Sequence, residues 1–295
     1  MTTDRIIYQS ESLFVSGKKT NASDIATSDI TEIQRVQDMS YTLEVSRTDI
    51  NEFGQLAALS REVTEPPTVA LDFSYYLTDT TQDGRLGFNV NTGASFPVVS
   101  ATPMTSNILA GTANKDELNY YILTVPEGED VHGSSPLNAA DHGVIAIGNG
   151  FISSYGVNAA VGELATASVS VEASNILFKK DLSAAAGFDN PAIDIDSATG
   201  AKMTNKVKFA SVTSSDGDHT INSNEIFAIR PGDISIDFDA NGYFTTTASA
   251  GGLNTGGALL PGSGVSAPTT QSSVHIQSVS LDIPLSRSPL TRLGN

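Results

Sequence analysis

The chain has 295 residues and a formal net charge of −17, with 33 Asp and Glu against 16 Lys and Arg. That balance excludes ordinary nucleic-acid binding through a phosphate-neutralising surface. The absence of cysteine excludes a disulfide scaffold, thiolate chemistry and Cys-ligated zinc or iron–sulfur sites. Sparse charge, abundant Ser, Thr, Ala, Gly and Asn, and Tyr and Phe without Trp point to a mainly β chain with long polar loops and few short helices.

The opening "MTTDRIIYQSESLFVSG" has no charged segment followed by a long apolar one, so it is not read as a signal peptide. No window approaches the ~18 consecutive apolar residues of a membrane span. The expectation is a soluble protein made in the cytoplasm, with no membrane partner. Along "VQDMSYTLEVS", Met39, Tyr41, Leu43 and Val45 alternate with Ser40, Thr42, Glu44 and Ser46, the period of a strand with one buried face. "TVALDFSYYL" repeats this with Val69, Leu71, Phe73, Tyr75 and Leu77, after a Pro66-Pro67 pair that stops any helix. Between them a short helix is expected over Asn51 to Ser60, although Gly54 sits inside it.

Val144 to Phe178 holds further strands, with a turn or bulge at the two glycines around Asn149. "KVKFASV" (Lys206 to Val212) and "EIFAIRPGDISIDFD" (Glu225 to Asp239) read as strands, the second broken at Pro231-Gly232. Thr245 to Ser273 is rich in Thr, Ser, Gly and Ala and reads as a linker. The last strand is "VHIQSVSLDIPLS", Val274 to Ser286, where Pro284 predicts an edge or a bulge. The expected organisation is a β-sandwich or barrel domain over 1–180 and a second β region over 181–295, with its linker at 245–273.

The chain also repeats itself. At an offset of 240 positions, Gln37 meets Gln277, Ser40 meets Ser280, Ser46-Arg47 meets Ser286-Arg287, and Gly54 meets Gly294. The alternating apolar residues correspond too: Met39 with Val279, Tyr41 with Leu281, Leu43 with Ile283, Val45 with Leu285. Strand alternation alone would not keep a Ser-Arg and a Gly at fixed distances beyond the strand. The segment 35–55 therefore has a partial copy at 275–295. A fainter echo relates Thr68–Asp72 to Ser168–Glu172.

Motifs of chemistry are scarce. His132, His142, His219 and His275 lack metal-ligand spacing, and no HExxH, Gly-x-Ser-x-Gly elbow, Walker A or dinucleotide glycine pattern occurs. Two acidic stretches have oxygen groups that a calcium loop uses. One has Asp79, Asp83 and Gly84. The other has Asp216, Asp218, Thr220, Asn222 and Glu225 at nearly alternate positions, but lacks the Gly at position six and the bidentate Glu at position twelve. Both also fit plain turns. No pair of carboxylates is singled out for glycoside hydrolysis, and there is no Trp platform for sugar. No enzyme activity, resident metal or cofactor is expected.

"RVQDMSYTLEVSRTDINEFGQ…EPPTVALDFSYYL", with "GFISSYGVNAAVGELATASVSVEASNI" and "IQSVSLDIPLSRSPLTRLGN", resembles the major tail proteins of tailed bacteriophages, the tail tube family. The resemblance covers Ile33 to Leu77, Val144 to Phe178 and Val274 to Asn295, about a third of the chain. It implies a β-sandwich or barrel whose subunits close into rings, hexameric or pseudo-hexameric, stacked as a tube through which DNA passes without specific binding. Self and other virion tail proteins are the implied partners, and the virion tail the implied location. Under that resemblance an acidic lumen would repel phosphate, with Asp38, Glu44, Asp72 and Glu172 as lumen candidates. Two other readings stay open: a capsid decoration or tail-tip protein, and an extracellular glycan-binding β-protein.

Overall fold

A computed structural model describes residues 11–17, 24–26, 29–54, 60–65, 67–77, 81–87, 117–127, 131, 141–183, 187–193, 204–209 and 278–285. Along the chain these form β1 (Glu11–Gly17), β2 (Ile30–Ile33), β3 (Val36–Glu44), β4 (Arg47–Ile50), β5 (Ser60–Val63), β6 (Thr68–Tyr76), α1 (Thr81–Arg85), β7 (Leu118–Thr124), β8 (Gly143–Ala160), β9 (Thr166–Ala173), β10 (Asn175–Lys180), β11 (Phe188–Asp189), β12 (Lys206–Val207) and β13 (Ser278–Pro284). The fold is mainly β, as the composition predicts.

Nine strands join through one long strand, β8. Its first half pairs with β7 and β10 and belongs to a sheet ordered β2-β1-β7-β8-β10. Its second half pairs with β9 and β13 and belongs to a sheet ordered β3-β6-β9-β8-β13. Every pairing among these strands is antiparallel. The switch between sheets falls at Gly148-Asn149-Gly150, the bulge expected from the sequence. Asn149 takes φ 57°, a left-handed conformation that Asn tolerates better than most residues. A Cβ on Gly148 would stand 2.2 Å from the Pro191 carbonyl, and one on Gly150 2.7 Å from the Tyr120 ring. Neither position has room for a side chain, so the strand can turn the corner only with glycine at both.

The inner faces of the two sheets meet in one core. Leu13, Val15, Tyr120, Ile122 and Ile147 from the first sheet pack with Leu71, Phe73, Tyr75, Tyr155, Val169 and Val171 from the second. The ring centroids of Phe73 and Tyr120 lie 6.3 Å apart across the join. This is sandwich packing with a strand that changes sheet at a bend. The back of the first sheet carries a second core, where Phe14, Tyr121, Phe188 and Phe209 lie among the buried side chains. There Phe209 approaches Phe14 at 5.3 Å and Tyr121 at 5.8 Å. The pair β11–β12 and the bridge from Ile25 to Val207 supply this cover.

β1 and β7 carry no alternation that the sequence reading could use; "LFV" and "YYIL" are continuous apolar runs because both faces of their sheet are buried. The helix expected over Asn51 to Ser60 is not formed by its described residues. Instead β4 and β5 pair as an antiparallel hairpin, and Gly54 takes φ +99° in the turn after β4, a conformation that ends a helix. The strand expected at Lys206 to Val212 appears as β12, and the last expected strand as β13. Glu225 to Asp239 and Thr245 to Ser273 lie outside the described residues. Among the described residues, no helix is long and apolar enough to cross a membrane.

Candidate functional site

The second sheet covers its inner face and leaves the other open. The register places side chains in rows across that outer face. One row runs Asp38, Ser74, Ser168, Gly156, Asp282. The next runs Ser40, Asp72, Ser170, Ser154, Pro284, and a third Thr42, Ala70, Glu172, Phe151. Glu44 pairs with Thr68 at the end. β3, β6, β8, β9 and β13 contain no Lys or Arg. All five of their acidic residues (Asp38, Glu44, Asp72, Glu172 and Asp282) fall on this one face and are exposed.

The structure thus brings Asp38, Glu44, Asp72 and Glu172 together on one surface and adds Asp282. Asp282 is not among the candidates read from the sequence, although the alternation of Leu281, Asp282 and Ile283 carries its signal. Asp38, Asp72 and Glu172 step diagonally over three neighbouring strands, one strand across and two residues along each time. Diagonal neighbours stand ~7–8 Å apart. At that distance two carboxylates in water repel by about 0.5 kcal/mol. The line is therefore a mild repulsive stripe with no cation in its strands to neutralise it.

Both edges of this sheet are open among the described residues, β3 on one side and β13 on the other. On the core-facing side, each edge leaves apolar groups half covered. Tyr41 is 40% and Leu43 48% exposed on β3, and Leu281 is 46% exposed on β13. Phe178 of β10 is also exposed, with its ring centroid 6.5 Å from that of Tyr41. The β4–β5 hairpin stands out beyond β3 with every strand residue exposed. Arg61 Nε donates to Asp49 Oδ1 at 2.6 Å across it, and Ile50, Phe53 and Val63 show apolar surface. Two open edges and an apolar arm are features that monomers usually blunt.

The first calcium candidate has another use. Asp83 lies in α1 and is buried, and its Oδ1 accepts from the Tyr75 hydroxyl at 2.8 Å and the Tyr155 hydroxyl at 2.7 Å. Burial first, and then the Asp83 charge, holds both tyrosines well above the usual phenol range. The carboxylate ties α1 to the core face of the second sheet, as a buried charge-assisted pair of hydrogen bonds. No group of three His, Asp or Glu suited to a metal ion occurs among the described residues. Asp79 and the second candidate set, Asp216, Asp218, Asn222 and Glu225, lie outside them, as do His132, His219 and His275. His142 is buried.

No protein-family model matches the chain, and no curated protein is similar to it in sequence. Solved structures do show likeness. The SPP1 tail tube is similar over 69% of this chain and 99% of its own, at 11% identity and a TM-score of 0.38. The tube-terminating cap of the anti-feeding prophage is similar over 61% of this chain and 94% of its own, at 10% identity and a TM-score of 0.36. A tail of the empty GTA particle, of C6 symmetry, is similar over 57% and 94%, at 9% identity and a TM-score of 0.33.

Proposed function

We propose that this chain is a structural virion protein that assembles with copies of itself into rings stacked as a tail tube. The open face of the second sheet is turned inward as the wall of a DNA conduit. The observation that carries this reading is the face, built from strands without Lys or Arg, on which Asp38, Glu44, Asp72, Glu172 and Asp282 all converge. A wall of that kind keeps phosphate away from contact and lets a duplex slide. The sequence resemblance to tail tube proteins supports the same reading.

The edges supply the assembly chemistry. A ring joins unlike surfaces head to tail, and a sheet closed into a ring has no free edge left. β3 and the opposite edge of the same sheet are the unlike surfaces, and Tyr41, Leu43 and Phe178 are apolar groups that such a contact would cover. The β4–β5 hairpin reaches beyond the sheet and suits contact with another ring. Function is mechanical, with no catalysis and no cofactor. The protein is made in the host cytoplasm and ends in the virion tail beside other tail proteins.

Negative-stain electron microscopy of the purified chain, with its solution mass from light scattering, tests this. Rings or stacked tubes are the expected result. A strictly monomeric protein at high concentration, in every salt, overturns it. A compact trimer that does not stack makes the chain a capsid decoration or tail-tip protein. Binding to polysaccharide by a monomer makes it a glycan-binding protein.

A further inference from the structure

The partial repeat and the sheet topology meet in one place. β3 and β13 carry the repeated sequence, and the structure sets them on opposite edges of the same sheet. They share more than sequence. In both, matching apolar residues of the repeat face the core side: Tyr41 lies opposite Leu71 and Leu281 opposite Val157, at 40% and 46% exposure. Ser40 and Ser280 both face the acidic side.

Direction adds a second constraint. β3, β6, β9 and β8 alternate up, down, up, down. Rotation about a ring axis preserves these senses. The β3 of a neighbouring copy would therefore meet β8 antiparallel, the sense in which β13 now lies on it. With four strands from each copy, a closed ring is antiparallel throughout. With β13 retained as a fifth, each joint would set β13 against a parallel β3. Parallel pairing is slightly weaker per residue, and no strand pair in the two sheets uses it.

We propose that β13 is an intramolecular stand-in for the β3 of a neighbouring copy. It fills the strand slot along Ser154–Ala160 of β8 in the single chain and yields it when copies join. This rests on the self-assembly proposed above. In the free subunit β13 covers an edge that would otherwise pair at random. As part of the same chain it competes at a high effective concentration, so assembly starts only when many copies or a nucleating surface outbid it. Leu285 N donates to Ser153 O of β8 at 2.7 Å, so the nitrogen of Pro284 beside it faces away from β8, and the missing N–H blunts the outer edge of β13 without loosening its hold. In the exchanged state, β3 of the neighbour takes the same register: Ser40 opposite Asn158, Tyr41 opposite Val157 and Leu43 opposite Tyr155, where Ser280, Leu281 and Ile283 now stand.

The chain has no cysteine, so engineered pairs report cleanly. The full-length double variant Asn158→Cys/Ser280→Cys ties β13 to β8 when oxidised. The expected result is at least a tenfold rise in the concentration needed for assembly, reversed by reductant. Assembly of the oxidised variant at the wild-type concentration overturns the proposal and leaves the tube reading standing. A second arm needs no assembly. Full-length Asn158→Cys is oxidised with an excess of a synthetic peptide spanning residues 34–46 that carries Ser40→Cys, or with the same peptide carrying Tyr41→Cys instead. Capture of the first and not the second supports the slot even if wild-type tubes never form, in which case the tube reading alone fails. Equal capture of both, or of neither, overturns the slot.

Discussion

The two sheets share a strand and a core, yet they are built to opposite ends. The first sheet is buried on both faces and covered at the back by β11–β12, with Phe14, Tyr121, Phe188 and Phe209 clustered there. The second buries one face and exposes five carboxylates, two edges and a hairpin. The closed half is packed on both of its faces, whereas the open half keeps one face, its edges and the hairpin in solvent. A division of this kind lets surface chemistry vary without loss of the fold.

Alkali should break both halves together and gives the largest effect. Tyr75, Tyr120, Tyr121 and Tyr155 are buried, and burial holds each hydroxyl above the usual phenol range. A raised folded pKa means that the unfolded chain loses its proton first. The stabilisation is fully present below the unfolded phenol value of about 10 and is lost as pH rises beyond it. With four such groups, stability should fall by about 5 kcal/mol per pH unit once the unfolded tyrosines are ionised. Circular dichroism against pH should show a cooperative loss just above pH ~10, with tyrosinate absorbance rising in the same transition. Gradual tyrosine ionisation without unfolding would contradict the shared core.

Single substitutions should then separate the halves. Tyr121→Ala empties the back core of the first sheet, where Tyr121 stacks edgewise on Phe188 and Phe209 and shares a 3.0 Å hydrogen bond with Ser16. The expected loss is about 3–5 kcal/mol in urea unfolding, as for other buried aromatics cut to alanine. Ser170→Ala, in the open face of the second sheet, should stay within ~0.5 kcal/mol. Equal losses would mean that the open face is not a surface at all.

What the sequence made legible follows the same divide. β3, β6 and β9 alternate, so their strands, their inner residues and the acidic positions on their outer side can be read directly. β1 and β7 cannot, because a strand buried on both faces loses its period and looks like any apolar run. The spacing of Ile50 and Phe53 imitates a helix, whereas Gly54 and the pairing of Arg47 with Val63 make a hairpin. Asp83 looks like a turn or calcium ligand in sequence, since nothing local announces that Tyr75 and the distant Tyr155 both donate to it. The repeat was visible as letters, but its placement on two edges of one sheet needed the register of β8.

The smallest effect on stability is also the sharpest on function. The triple variant Asp38→Asn/Asp72→Asn/Glu172→Gln removes the diagonal stripe without touching either core. Each neighbouring pair repels by about 0.5 kcal/mol unscreened, and salt near 0.15 M, with a Debye length of about 8 Å, reduces that further. The isolated chain should gain at most a few tenths of a kcal/mol. In a ring the stripe recurs in every copy, so the same charges face one another around a shared space and repulsion grows with each subunit added. Wild-type assembly should therefore be favoured by added salt, and the triple variant should lose most of that dependence. Tubes of the variant should also retain short duplex DNA that wild-type tubes release. If the salt dependence is unchanged, the acidic face points outward and the sheet has been placed in the ring the wrong way round.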